Sequence, residues 1–157
     1  MLIAQVTDIH LGFEPGNPSE FNRKRLDQVI RKLVAMEPQP DLLLATGDLV
    51  DRGDVGSYER LKEALQDCPF PVWPSLGNHD IRDSFSSVFP EIPIVDGFVQ
   101  YEVETGGIRI LFLDTLEEGR HGGAFCETRA AWLKAKLAEK PDAKTLIGMH
   151  HPPVEVG

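Results

Sequence analysis

Four short polar clusters carry most of the chemistry this chain can offer: Asp8-Ile9-His10, Gly47-Asp48, Gly77-Asn78-His79-Asp80 and His150-His151. They hold four of the five histidines, which leaves only His121 outside them. Carboxylate oxygen, amide oxygen and imidazole nitrogen, without thiolate, suit manganese, iron, zinc or cobalt better than a soft metal or an iron–sulfur cluster. Asp8 and His10 are two positions apart, so in extended backbone both side chains would face one cation. Asp48 has two oxygens and could bridge two cations. Asn78 would add a neutral carbonyl oxygen, and His150 a ring nitrogen. Each fragment alone is common turn or surface chemistry. The four in this order, each at the end of an expected strand, are specific.

The elements that must position these residues are legible in the apolar pattern. Residues 2–7 read as a buried strand and residues 12–19 as a loop. Ser19 is the expected cap of a helix to about Met36, with Leu26, Val29, Ile30, Leu33 and Val34 on one face. Residues 41–46 form a second strand, expected to pair in parallel with the first. A helix is expected near residues 57–66, with Tyr58, Leu61 and Leu65 together, followed by a short strand at 71–74. Residues 98–104 and 108–113 flank Gly106-Gly107 as a β-hairpin. Thr128 would cap a helix to about Lys140 that buries Trp132, Leu133 and Leu137, and 144–149 would be the last strand. Strands alternating with helices indicate a layered α/β fold in one domain or part of one.

Composition bounds the rest. A chain of 157 residues with 41% apolar content can build a core, and its longest apolar runs are strand-sized. Leu2 to Val6 runs straight into the first cluster, so its removal as a leader would destroy the site; a cytoplasmic protein is expected. Cys68 and Cys126 lack metal or redox spacing and read as two reduced, partly buried thiols. A net charge of −9 argues against a broad basic surface for duplex nucleic acid.

With these clusters the chain resembles the calcineurin-like metallophosphoesterases, and within them the class III cyclic-nucleotide and glycerophosphodiester phosphodiesterases. Asp8-x-His10, Gly47-Asp48-Leu49-Val50-Asp51, Gly77-Asn78-His79-Asp80 and Gly148-Met149-His150-His151-Pro152-Pro153 carry the resemblance, with Leu113-Asp114-Thr115 favouring the phosphodiesterase branch. It implies an αββα sandwich with two divalent or trivalent metal ions. Asp8 and His10 would hold the first, Asp48 would bridge, and Asn78 and His150 would hold the second. A hydroxide bridging the two ions would attack in line a 3',5'-cyclic nucleotide or a small glycerophosphodiester. His79 would be the catalytic acid that protonates the leaving alkoxide. Asp51 and Asp80 would orient neighbouring ligands or cap helices.

Three further residues are candidates for substrate binding. Arg52 resembles the phosphate-gripping arginine of related protein phosphatases, or is a surface turn arginine. His121 faces substrate or sits in an ordinary loop, and His151 lines the site or supports it from behind. The family also supplies a later Gly-His-x-His, which does not occur before Gly157. The expectation is therefore the front of a longer domain: the second sheet incomplete, one face of the first sheet uncovered, 152–157 a cut loop, and activity of this form impaired. The two histidines would come from a C-terminal segment or another chain, with possible homo-oligomers through that region. Rival readings are a phosphomonoesterase, nuclease or protein phosphatase on the same metal centre, or a protein-binding module that has lost catalysis.

Overall fold

The apolar run from Leu42 to Thr46 is buried along its whole length, which marks it as the central strand of a sheet covered on both faces. In the computed structural model, which describes residues 1–154, this strand is β2 (Leu42–Thr46). It lies between β1 (Ile3–Val6) and β3 (Val72–Ser75), and both pairings are parallel. The crossovers are α1 (Phe21–Val34) and α2 (Val55–Leu65), and α3 (Arg82–Val88) follows β3. A second sheet has β4 (Tyr101–Thr105) antiparallel to β5 (Ile108–Phe112), which pairs in parallel with β6 (Thr145–Gly148) across α4 (Glu127–Glu139).

One core joins these layers. Leu26 and Ile30 of α1, Leu61 and Leu65 of α2, the β2 leucines, and Ile110 and Phe112 of β5 belong to a single buried cluster. Tyr101 of β4 stacks on Phe112 and donates its hydroxyl to the Pro74 carbonyl of β3, so a polar tie also runs from sheet to sheet. The result is a layered α/β arrangement with both sheets on one interior.

Several expectations change. Ser19 does not cap α1: Glu20 occupies that position, makes no cap bond, and turns its buried carboxylate to the amides of Gly12 and Glu14. Asp54 caps α2 by accepting from Ser57 N at 2.9 Å, which starts the helix before residue 57. The short α3 escaped sequence reading because only Phe85 of its seven residues is buried. On α4, Trp132 and Leu133 are half-buried, Leu137 is exposed, and the one buried residue is Arg129.

In the first sheet β2 is buried on both faces, whereas β1, an edge strand, is only partly buried. Exposed apolar side chains also lie on β6, at Leu146 and Ile147, an edge strand of the second sheet. The expected loop cut at 152–157 falls partly outside the described residues. Among the described residues no helix is long and apolar enough to cross a membrane.

Both cysteines are free; Cys68 is half-buried, whereas Cys126, just before α4, is exposed rather than partly buried. Hydrogen bonds from the Arg129 backbone and then its guanidinium pull the Cys126 thiol down to about 7, while burial pushes Cys68 up. Thiolate is the reactive form. Iodoacetamide should therefore modify Cys126 first, with a rate that rises through a midpoint near pH 7, as read by mass spectrometry of the labelled peptides; equal labelling of Cys68 would contradict this placement of α4.

Candidate metal centre

The polar clusters converge where the parallel sheet ends. The loop after β1 carries Asp8 and His10, the loop after β2 carries Asp48, the loop after β3 carries Asn78 and His79, and His150 follows β6. Strand ends of this kind are where open α/β sheets place their sites. The chain does not stay extended there. Asp8, His10 and Asp48 have φ of 53°, 47° and 48°, in the left-handed region that non-glycine residues rarely occupy. The extended-strand argument for Asp8 and His10 therefore fails, and their positions come from turns. Backbone bonds lock these turns: Asp8 N donates to Gly47 O, and His10 N to Asp48 O, at 3.1 and 2.9 Å.

Donor atoms gather in two groups, each within 4.8 Å: His10, Asp48 and His79 in one, and Asp8, Asp48 and His150 in the other. Asp48 belongs to both. Its Oδ2 is 3.5 Å from His10 Nε2, and its Oδ1 is 3.5 Å from His150 Nε2. Its Oδ1 also accepts the His79 backbone N–H at 2.9 Å. Asp8 groups with Asp48 and His150, and it lines a groove together with His10. Asn78 lies between Gly77 and His79, and it lines a groove with His79, Arg52 and His121.

Ring orientation is set by bonds to main-chain oxygen. His150 Nδ1 donates to Thr46 O at 2.9 Å, and His79 Nδ1 to Asp51 O at 2.8 Å. A carbonyl can only accept, so each Nδ1 carries the proton and each Nε2 is left free to act. His10 Nδ1 is buried without a hydrogen-bond partner, 3.4 Å from Asp51 Oδ1. Space is equally tight. A Cβ on Gly47, whose φ is +89°, would come 2.5 Å from His150 Nδ1. One on Gly77 would meet Asp48 Oδ1 at 2.3 Å, so both glycines are required by close approach. A carboxylate shared by two groups of oxygen and imidazole donors, without thiolate, fits divalent metal ions.

Asp80 is no part of either group. It is buried and accepts from Gly77 N at 2.8 Å, Leu49 N at 3.2 Å, Val50 N at 3.4 Å and the Tyr58 hydroxyl at 2.8 Å. Burial raises its carboxyl to about 6 against the pull of these donors. Tyr58 read as core from its spacing; its hydroxyl, which also accepts from Ile81 N, gives it a second task.

The three substrate-binding candidates separate. Arg52 is 62% exposed and pairs loosely with Asp51 at 3.5 Å, so its head is free to reorient. His121 sits with its ring centroid 6.4 Å from that of His79. His151 is buried, bonded to Thr115 Oγ1 at 2.8 Å, and packed where a Cβ on Gly123 would clash. Sequence reading missed Arg82, which grips buried Asp114 with two 2.8 Å bonds and also reaches Leu116 O. It ties the loop of His79 to the loop of His121, and no local pattern marks a partner 32 positions away.

Comparison with known proteins gives a consistent result. The family described as "Calcineurin-like phosphoesterase" matches residues 1–157. A protein of Arcobacter nitrofigilis named "Probable glycerophosphodiester phosphodiesterase" is 33% identical over 165 residues, covering 100% of this chain and 59% of its own length. A "Probable cyclic nucleotide phosphodiesterase" of Rhodopseudomonas palustris is 36% identical over 138 residues, covering 85% and 50%. The chain therefore spans half to three-fifths of these relatives. Among solved structures, the phosphopantetheinyl hydrolase of Mycobacterium tuberculosis shares the fold at a TM-score of 0.51 and 16% identity, over 96% of this chain and 68% of that one.

Replacing Asp80 by alanine would strand three amides and a phenol in the interior, each of which costs free energy when unpaired. Asp80→Ala should lose at least about 3 kcal/mol of unfolding free energy in urea, measured without metal, and Asp80→Asn distinctly less because one acceptor oxygen remains.

Proposed function

Since the chain belongs to the calcineurin-like phosphoesterase family, we propose that it forms the front part of a metal-dependent phosphodiester hydrolase acting on a 3',5'-cyclic nucleotide or a small glycerophosphodiester. The observation that carries this reading is the Asp48 carboxylate, with one oxygen toward His10 and the other toward His150. Asp8, His10, Asp48, Asn78 and His150 are the proposed metal ligands, with Asp48 shared. Mixed oxygen and nitrogen donors favour manganese, iron, zinc or cobalt. When bound, such cations supply Lewis acidity, neutralising phosphate charge and making water acidic enough to attack near neutral pH.

The chain's own residues do the rest. His79 is held by its Nδ1 bond to Asp51 O, so its protonated ring presents an Nε2–H. That proton passes to the leaving alkoxide as the P–O bond breaks, a general-acid role suited to imidazole. Arg52 and His121, which border the same groove, offer N–H donors to the phosphate oxygens. Asp51 steers both His10 and His79, and Asp80 keeps the Gly77 turn closed behind them.

Residues 1–157 are read as one metallophosphoesterase domain whose remaining histidines come from a further segment or another chain, which the greater length of the relatives supports. Oligomers through that region belong to the same reading. Cytoplasmic residence belongs to this reading, and the two free thiols are compatible with it; the net charge of −9 supports a small-molecule partner rather than duplex nucleic acid.

The test is metal content together with hydrolysis of bis(p-nitrophenyl) phosphate, for this chain, for a longer form continuing past Gly157, and for Asp48→Asn in each. The longer form should bind two metals and turn over, and this chain should do both weakly. Asp48→Asn should lose more than roughly 100-fold in metal affinity, beyond what a group one step removed from a metal costs. A protein that purifies empty and binds no metal when offered it would sink the hydrolase reading in favour of a binding module.

A further inference from the structure

Beside the candidate metal centre lies a groove of about 420 Å³ walled by Phe13, Phe21 and Arg25, whose floor reaches His10 and His79. Its volume falls in the range of roughly 300–1,000 Å³ common for small-molecule sites. Phe13 and Phe21 are 62% and 65% exposed, which is unfavourable for two phenyl rings unless something covers them.

The backbone that carries the rings is held in place. The buried Glu20 carboxylate accepts from Gly12 N at 2.5 Å and from Glu14 N at 3.0 Å, the two amides that straddle Phe13. A carboxylate taken out of water is costly unless bonded, and here both its oxygens fix the turn that holds Phe13 out. Phe21 opens α1, and Arg25 one turn later places its guanidinium carbon 5.6 Å from the Phe21 ring centroid. Asn22 then joins α1 to the metal-side loop by donating to His10 O at 2.9 Å. Two aromatic side chains on a fixed backbone therefore border the phosphate-facing residues.

We propose that this groove is a nucleobase platform: Phe13 and Phe21, with Arg25, stack the base of a nucleoside phosphodiester whose phosphate lies at the metal centre. The inference rests on the phosphodiesterase reading for the position of the phosphate, and it selects between the two substrate classes that reading leaves open. A glycerol ester has no π-face to offer two phenyl rings, and its hydroxyls would be desolvated against them. A purine or pyrimidine gains stacking energy on the same rings, together with a guanidinium edge.

Adenosine is the probe, because it carries no phosphate and needs no metal. Saturation-transfer NMR on this chain should show the base protons of adenosine receiving saturation, with no matching signal from glycerol. Phe13→Ala and Phe21→Ala should each weaken adenosine binding about tenfold, within the range measured for base–aromatic stacking. Phe13→Tyr and Phe21→Trp should retain it, and Phe125→Ala, a phenyl outside this groove, should leave it unchanged. Both groove rings are exposed, so the alanine variants should keep the far-UV circular dichroism of the parent. Unchanged adenosine affinity in both alanine variants, or equal responses to adenosine and glycerol, would overturn the platform. The two readings fail separately: adenosine binding with no hydrolysis of bis(p-nitrophenyl) phosphate by the metal-loaded longer form upholds the platform and rejects the hydrolase, and hydrolysis by that form without adenosine binding does the reverse.

Discussion

The loops after β2 and β3 and helix α2 meet on a single buried carboxylate. Asp80 draws together amides from the loop after β2, an amide from the loop after β3, and the hydroxyl of Tyr58 on α2. Three segments are thereby held at hydrogen-bond distance from one group. Asp48 and His79, which lie on two of those segments, inherit their separation from it. The group itself is poorly solvated, and its carboxyl stays near 6 rather than in the usual range because burial outweighs its four donors. Such a node is effective because its alternatives are bad: any movement of one loop leaves a polar atom unpaired in the interior.

A second node does the same for the other half. Asp114, fully buried at the end of β5, accepts from Val99 N and Leu116 N and receives both ends of the Arg82 fork. Arg129 adds its guanidinium to the Asp114 and Leu116 carbonyls, and both arginines lie over the ring of Phe98. This joins α3, just past His79, to the loop that brings His121 near it. The two sheets therefore meet through ion pairs and main-chain bonds at the site, and through Tyr101 and the apolar cluster behind it.

The strands were readable because burial on both faces leaves an unbroken apolar run, as in Leu42 to Ala45, and because Gly106-Gly107 marks its hairpin. The donor types of the site were equally visible, since oxygen and imidazole at strand ends are few. Their distances were not. Asp8 and His10 were expected in extended backbone, yet both adopt positive φ, and a dipeptide spacing carries no information about a turn that is closed by bonds to Gly47 and Asp48. Glu20 was hidden for a related reason. Its carboxylate serves a loop earlier in the chain instead of the helix it precedes, so Ser19 looked the better cap. The buried side of α4 does not follow hydrophobicity: the residue that docks is Arg129, which is drawn in by Asp114 and by carbonyl oxygens.

The left-handed backbone at Asp8, His10 and Asp48 has a consequence for how such a chain can change. Each of these conformations costs about 1–3 kcal/mol in a residue that has a Cβ, and glycine would adopt them without that penalty. Glycine at Asp8 or His10 would relieve that backbone cost and remove a donor atom, whereas at Asp48 it would also leave the His79 N–H without its acceptor. Selection for folding by itself thus runs toward erasing the donors at Asp8 and His10, and drift in a lineage without need of them would have an easy downhill route. These two positions are the natural first places to look in any stabilised variant that has fallen silent.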